Sequence, residues 1–217
     1  MDADIHRLFQ LDEMGVFRAQ PLIAEPWLVH GFGTRLSDGW PRGGEVVSLK
    51  QIHSDIAWVV RECSGCIGEG DALITAQPGL LLTIRTADCI PVLIADPVRR
   101  VVAAIHAGWR GSAAGIAGKT VKKMVESFSS DPADLIAAIG PGIGLCCFEV
   151  GPEVASQFGA SGGHVDLAEA NRRDLAAAGV LRIAVGAPCT HCQPGLFHSY
   201  RRDKAQGRMV SGIGISV

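Results

Sequence analysis

Short apolar runs of strand length, punctuated by Gly, Pro and Asp, set the pattern of this chain. Runs of this kind, rich in Val and Ile, predict strands at Glu45–Lys50 (leading into Gln51-Ile52-His53), Ile56–Val60, Leu80–Ile84, Pro91–Ala95, Val101–Ile105, Leu135–Ile139 and Leu181–Val185. A helical period appears at Ser112–Phe128, with Ile116, Met124 and Val125 on one side and Lys119, Lys122 and Lys123 interspersed. Pro152–Phe158 and Leu167–Ala178 are shorter helical candidates. Strands outnumber helices and do not alternate strictly with them. The expected fold is therefore α+β, with mixed β-sheets flanked by helices in a single compact domain over 1–217, residues 1–25 being peripheral.

The segment from Cys89 to His106 carries the most chemical information. Two apolar runs flank Asp96-Pro-Val-Arg-Arg100, a turn signal, so an antiparallel hairpin is predicted. If Asp96 pairs with Arg99, Cys89 faces His106; if it pairs with Val101, Cys89 faces Gly108. Both registers keep Cys89 and His106 on one face, directly opposed or one diagonal apart, at roughly 5–8 Å between Cβ atoms. A thiolate and an imidazole at that spacing are good zinc ligands, and a third protein ligand would leave a fourth position open for chemistry. His53, at the end of a predicted strand, is the candidate. Small-residue packing for Cys89 and ordinary hydrogen-bonded roles for both histidines fit the same pattern.

Composition narrows the class. Of 217 residues 47% are hydrophobic and 19% charged, enough apolar material for a packed interior. The net charge of −2, with basic runs no longer than Arg99-Arg100 or Arg201-Arg202, gives no footprint for nucleic acid or an anionic membrane surface. The acidic N-terminal stretch lacks a signal-peptide pattern and no apolar run reaches membrane-span length, so a cytoplasmic location is expected. Seven cysteines, at 63, 66, 89, 146, 147, 189 and 192, are then packing residues, ligands or nucleophiles more readily than disulfides. The pairs Cys63-x-x-Cys66 and Cys189-x-x-Cys192 are too far apart for a ribbon-type zinc site. Adjacent Cys146 and Cys147 point to opposite faces in a regular strand and so read as packing residues. Gly140-Pro-Gly-Ile-Gly144 lacks the Lys-Ser/Thr ending of a phosphate loop and reads as a tight turn.

A set of motifs nevertheless occurs together: His30-Gly-Phe-Gly-Thr-Arg35, Gln51-Ile-His53, Gly70-Asp-Ala-Leu-Ile-Thr75, Thr86-Ala-Asp-Cys89, His106-Ala-Gly-Trp-Arg-Gly111, Gly140-Pro-Gly-Ile-Gly144, Phe148-Glu-Val-Gly151 and Ser199-Tyr-Arg-Arg-Asp203. From about His30 onward the chain resembles the laccase-domain family, formerly labelled polyphenol oxidases and now regarded as zinc-dependent purine nucleoside phosphorylases with adenosine deaminase activity. The resemblance implies zinc on His53, Cys89 and His106. It also implies purine nucleosides and inorganic phosphate as substrates, split to free base and ribose 1-phosphate.

By the same resemblance Cys89, Asp88 and Arg35 are catalytic candidates. Arg35 would hold phosphate bidentately, with Arg201 or Lys50 as further cations; Asp88 would serve as a ligand's partner or a proton shuttle. Gln51, Asp71, Asn171 and Arg201 are candidates for substrate contact. Zinc suits the deaminase side, since water activated by zinc can attack purine C6. The older oxidase label fits the residues poorly: the seven histidines, at 6, 30, 53, 106, 164, 191 and 198, contain no His-x-His pair of the kind a multicopper oxidase uses. A cysteine hydrolase using Cys89 with a histidine, and a non-catalytic zinc module, are the remaining alternatives.

Overall fold

The apolar runs become strands of two main β-sheets that share a core. The structure, a computed structural model, describes residues 8–62, 64–204 and 207–217. Seven strands form the larger sheet: β1 (Phe9–Leu11), β2 (Val16–Ala19), β3 (Leu28–Gly33), β4 (Glu45–Lys50), β6 (Gly65–Glu69), β8 (Leu80–Thr86) and β15 (Met209–Ile215), in the order β1-β2-β3-β15-β8-β4-β6. Six form the smaller one: β5 (Ala57–Val60), β7 (Ala72–Thr75), β9 (Ile90–Asp96), β10 (Val101–Ala107), β11 (Ile136–Ile139) and β14 (Arg182–Ala184), in the order β14-β11-β9-β10-β7-β5. A short ribbon joins β12 (Glu149–Val150) to β13 (Gly163–His164). The helices are α1 (Gln20–Ile23), α2 (Trp109–Ala113), α3 (Ile116–Phe128), α4 (Pro152–Ala155), α5 (Leu167–Ala177) and α6 (Tyr200–Asp203). Parallel and antiparallel pairs mix in both sheets, so the expected α+β class with mixed sheets is observed.

Alternation along β9 and β10 serves two cores. Leu93, Ala95, Val102 and Ala104 pack against Phe32, Val47, Leu82 and Ile213 of the larger sheet. Their neighbours Val92, Ile94, Ala103 and Ile105 pack against Ile116, Val121 and Met124 of α3 and Leu175 of α5. Every residue of β9 and β10 is buried, which is why both read as unbroken apolar runs. At about 25 cal/mol per Å² of apolar surface, such double burial lets this hairpin contribute to both cores at once.

Three expectations change. The single helix over Ser112–Phe128 is two helices, because Gly115 lies in the left-handed region (φ 74°) and breaks the ladder between α2 and α3. Val125 is 38% exposed, a hundred degrees round from buried Met124. Strands β1, β2, β3, β6, β7, β12, β13 and β15 had no prediction. In β15 the pattern is hidden by Gly212 and Gly214; a Cβ on Gly214 would lie 2.4 Å from the Leu80 carbonyl oxygen, so close strand approach requires the residue that weakens the strand signal. β1 and β2 form one edge of the larger sheet, yet Phe9, Val16 and Phe17 are buried there, as is Leu22 of α1.

Candidate metal centre between two clefts

The β9–β10 hairpin adopts the second of the two registers, Val101 opposite Asp96 and Ala107 opposite Ile90. Extrapolated by one pair, Cys89 falls against Gly108 and one diagonal from His106. That glycine matters: a Cβ on it would lie 2.7 Å from His53 Cδ2 and 3.3 Å from Cys89 Sγ, inside the site. His53 is not on a strand. It follows β4 by three residues, in a bend with φ 60°, and its ring meets that of His106 edge-on with centroids 4.8 Å apart. Cys89 Sγ and His53 Nε2 are 3.8 Å apart, and one ligand atom from each of His53, Cys89 and His106 lies within 4.8 Å of the others. Three soft-to-borderline donors converging on one point fit a metal ion.

Asp71 makes this geometry. It is fully buried just before β7, and its carboxylate accepts from His106 Nδ1 at 2.7 Å, which leaves Nε2 of that ring for the metal side. The same carboxylate accepts the backbone N–H groups of Ile52 (3.3 Å), His53 (3.1 Å) and Ser54 (2.6 Å), and the Ser54 hydroxyl (2.6 Å). One side chain thus orients His106 on β10 and holds the loop that carries His53. Burial pushes the Asp71 carboxyl up, but its donors, His106 first, bring it to about 2. Burial depresses His106, and Asp71 and Cys89 outweigh that to raise it to about 9. Burial likewise raises the Cys89 thiol, and hydrogen bonds from His106 and His53 bring it down to about 6. The two imidazoles thus favour the thiolate form of Cys89, the form that binds metal.

Asp88 faces the other way, from the bend between β8 and β9, with φ 83°. Its buried carboxylate accepts from Thr190 Oγ1 (2.7 Å), Ser199 Oγ (3.1 Å) and the Arg201 N–H (2.6 Å). The carboxylate that contacts a ligand is Asp71, not Asp88; Asp88 ties the C-terminal turns to the site.

Two clefts meet at the ligand group, sharing His53, Cys89 and Tyr200. The first, of about 690 Å³, has a cationic wall of Lys50, Arg85 and Arg208. The second, of about 330 Å³, is lined by Trp109, Phe148 and Tyr200, with Arg110, Arg201 and Lys204 around them. Gln51 lines the first cleft, its amide engaged with both backbone groups of Arg85 at 2.8 Å. Arg201 lines the second, its guanidinium over Phe148 and donating to the Glu149 carbonyl. Arg35 faces a smaller cavity of about 200 Å³ beside His198 and Arg208, and donates to the Pro194 carbonyl. Asn171 is buried on α5, donating to Ser112 Oγ and the Leu167 carbonyl. Neither Arg35 nor Asn171 lines the two clefts at the ligand group. Arg85 and Arg208 were not singled out from the sequence. The outward phase of Arg85 in the Leu80–Ile84 run was the available signal; Arg208 offered none.

Residues 35–216 match the family described as multi-copper polyphenol oxidoreductase laccase. The chain belongs to this laccase-domain family. It is 44% identical over 179 residues to a purine nucleoside phosphorylase of Deinococcus radiodurans, covering 77% of this chain and 69% of that one. It is 40% identical over 180 residues to the purine nucleoside phosphorylase YfiH of Escherichia coli, covering 77% and 72%. Among crystal structures, the hypothetical protein YfiH of Bacillus licheniformis superposes with a TM-score of 0.87 at 29% identity, covering 96% of this chain and 99% of that one. YlmD of Geobacillus stearothermophilus gives the same score and identity over 97% and 99%. Among the described residues no helix is long and apolar enough to cross a membrane.

Proposed function

We propose that this laccase-domain chain is a zinc-dependent purine nucleoside phosphorylase, converting adenosine, inosine or guanosine and phosphate to base and ribose 1-phosphate, with adenosine deamination as a side activity. The observation that carries this reading is the placement of one His-Cys-His group where a cationic cleft meets an aromatic one. Relatives that carry the phosphorylase name support it.

In phosphorolysis a phosphate oxygen bonds to the anomeric carbon as the bond from that carbon to the purine nitrogen breaks, its electron pair leaving with the base. The sugar passes through an oxocarbenium-like state. The protein's tasks are to place an anion beneath the sugar and to hold the base in line. Lys50, Arg85 and Arg208 supply the cations for phosphate, while Trp109, Phe148 and Tyr200 supply faces for the purine. The ribose would then lie beside His53 and Cys89, which border both clefts. The donor set and the space kept free by Gly108 suit zinc on His53, Cys89 and His106; bound there, zinc supplies Lewis-acid polarisation. Asp71 fixes the tautomer of His106, and Asp88 holds the turn bearing Tyr200 and Arg201.

Metal analysis followed by adenosine turnover with and without phosphate tests the reading. Adenine and ribose 1-phosphate should form only when phosphate is present, and inosine should appear slowly from adenosine. Adenine release without phosphate, or no release, would refute it. The depressed Cys89 thiol beside two imidazoles favours one other reading, a cysteine hydrolase. That enzyme would work in the presence of a chelator and stop on thiol alkylation.

A further inference from the structure

A second group of ligand-type side chains lies outside the His-Cys-His site. Cys146, Cys147, Cys189 and Cys192 bring their four sulfurs within 4.8 Å of one another. Sequence reading separated these residues because adjacent cysteines diverge in a strand, but 145–147 form a turn. The N–H groups of Cys147 and Phe148 both donate to the Gly144 carbonyl at 3.0 Å, and this reversal lets both thiols face Cys192, at 3.6 and 3.3 Å. Cys66, exposed on β6, takes no part, and Cys63 lies outside the described residues.

A backbone donor reaches the group: Cys189 Sγ accepts the Gly144 N–H at 3.2 Å. The Arg202 guanidinium donates to the Thr190 and His191 carbonyls at 3.0 and 2.9 Å, placing a cation beside the group. Four sulfurs each about 2.3 Å from a tetrahedral ion would stand roughly 3.8 Å apart, close to the spacings observed. A disulfide is a poorer solution, since Cys192 has two partners within 3.6 Å and could bond only one.

We propose that Cys146, Cys147, Cys189 and Cys192 form a closed tetrathiolate site for a zinc-class divalent cation, distinct from the His-Cys-His site. Its role is structural. It staples the 140–148 turn, which carries Ile143 and Phe148 into the aromatic cleft, to the 189–192 turn, which Asp88 grips through Thr190. Backbone contacts between these turns are few: Gly142 bridges Cys189, and the Thr190 N–H donates to the Gly142 carbonyl at 2.9 Å. A metal bond set would make that junction rigid.

The test is zinc content of the full-length protein purified with reductant. Wild type should hold two ions per chain, Cys189→Ser/Cys192→Ser one, and Cys89→Ala/His106→Ala one. Cobalt(II) separates the sites optically, because sulfur-to-metal charge transfer grows with the number of thiolates. Cys189→Ser/Cys192→Ser should therefore remove most of that band, and Cys89→Ala/His106→Ala a minor part. If a variant fails to fold, X-ray absorption of wild-type zinc protein decides, the expected mean being above two sulfurs per zinc from four plus one thiolates over two ions. A single ion lost with Cys89→Ala/His106→Ala, a mean near one sulfur per zinc, or a disulfide among the four in non-reducing mass spectrometry would overturn the proposal.

Discussion

The ligand group is walled by two regions that reach the same place by different means. On one side His106 and the His53 loop are held by Asp71, and both cores of the β9–β10 hairpin stand behind it. On the other side Tyr200, Arg201 and Phe148 come from short turns, strung together by Asp88 and the cysteine turns rather than by a sheet. The first wall inherits its precision from buried strands. The second depends on a few polar bonds, so losses there should show in substrate binding before they show in metal binding.

Substitutions can separate the two walls. Cys89→Ala should have the largest effect, abolishing metal binding at the His-Cys-His group and phosphate-dependent base release, as read by metal content and product analysis. Gly108→Ala should also expel the metal, because its backbone (φ −70°, ψ 168°) accepts alanine and only the Cβ intrudes. Thermal stability close to wild type with little bound metal is the expected pair of results; unchanged metal affinity would mean the site is looser than described. Asp71→Asn should lower metal affinity or activity roughly 10–100-fold, the usual cost of losing a ligand's partner.

Asp88→Asn belongs to the other wall. It should cost about 1–3 kcal/mol in denaturant unfolding and raise KM for the nucleoside while metal content holds. Loss of metal in this variant would erase the distinction between the walls. Smallest is an acid effect. Asp71 sits at about 2 against an ordinary 3.8, so its stabilising share is present above 3.8 and is lost as pH falls through about 2. The stability gap between wild type and Asp71→Asn should narrow over that window.

How much was legible beforehand differs by element. Both apolar strands of the hairpin and its turn were visible, and with them the shared face of Cys89 and His106, since that face survives either register. His53 was suggested by its place at a strand end but rested chiefly on family resemblance: its position depends on a left-handed bend and on a carboxylate 18 residues away along the chain. Arg208, Trp109 and Phe148 come together from separate loops and a helix start, and no local period marks them.

The sequence by itself determined which strands could be buried on both faces, and so which thiol and imidazole must be neighbours, because side-chain alternation is a local property of the chain. Tertiary structure alone decided the rest. It chose the Val101–Asp96 register, turned Asp71 inward to orient two ligands, sent Asp88 to the opposite wall and gathered four cysteines from two turns. These depend on long-range packing and on where buried polar groups find partners, which residue spacing along the chain does not encode.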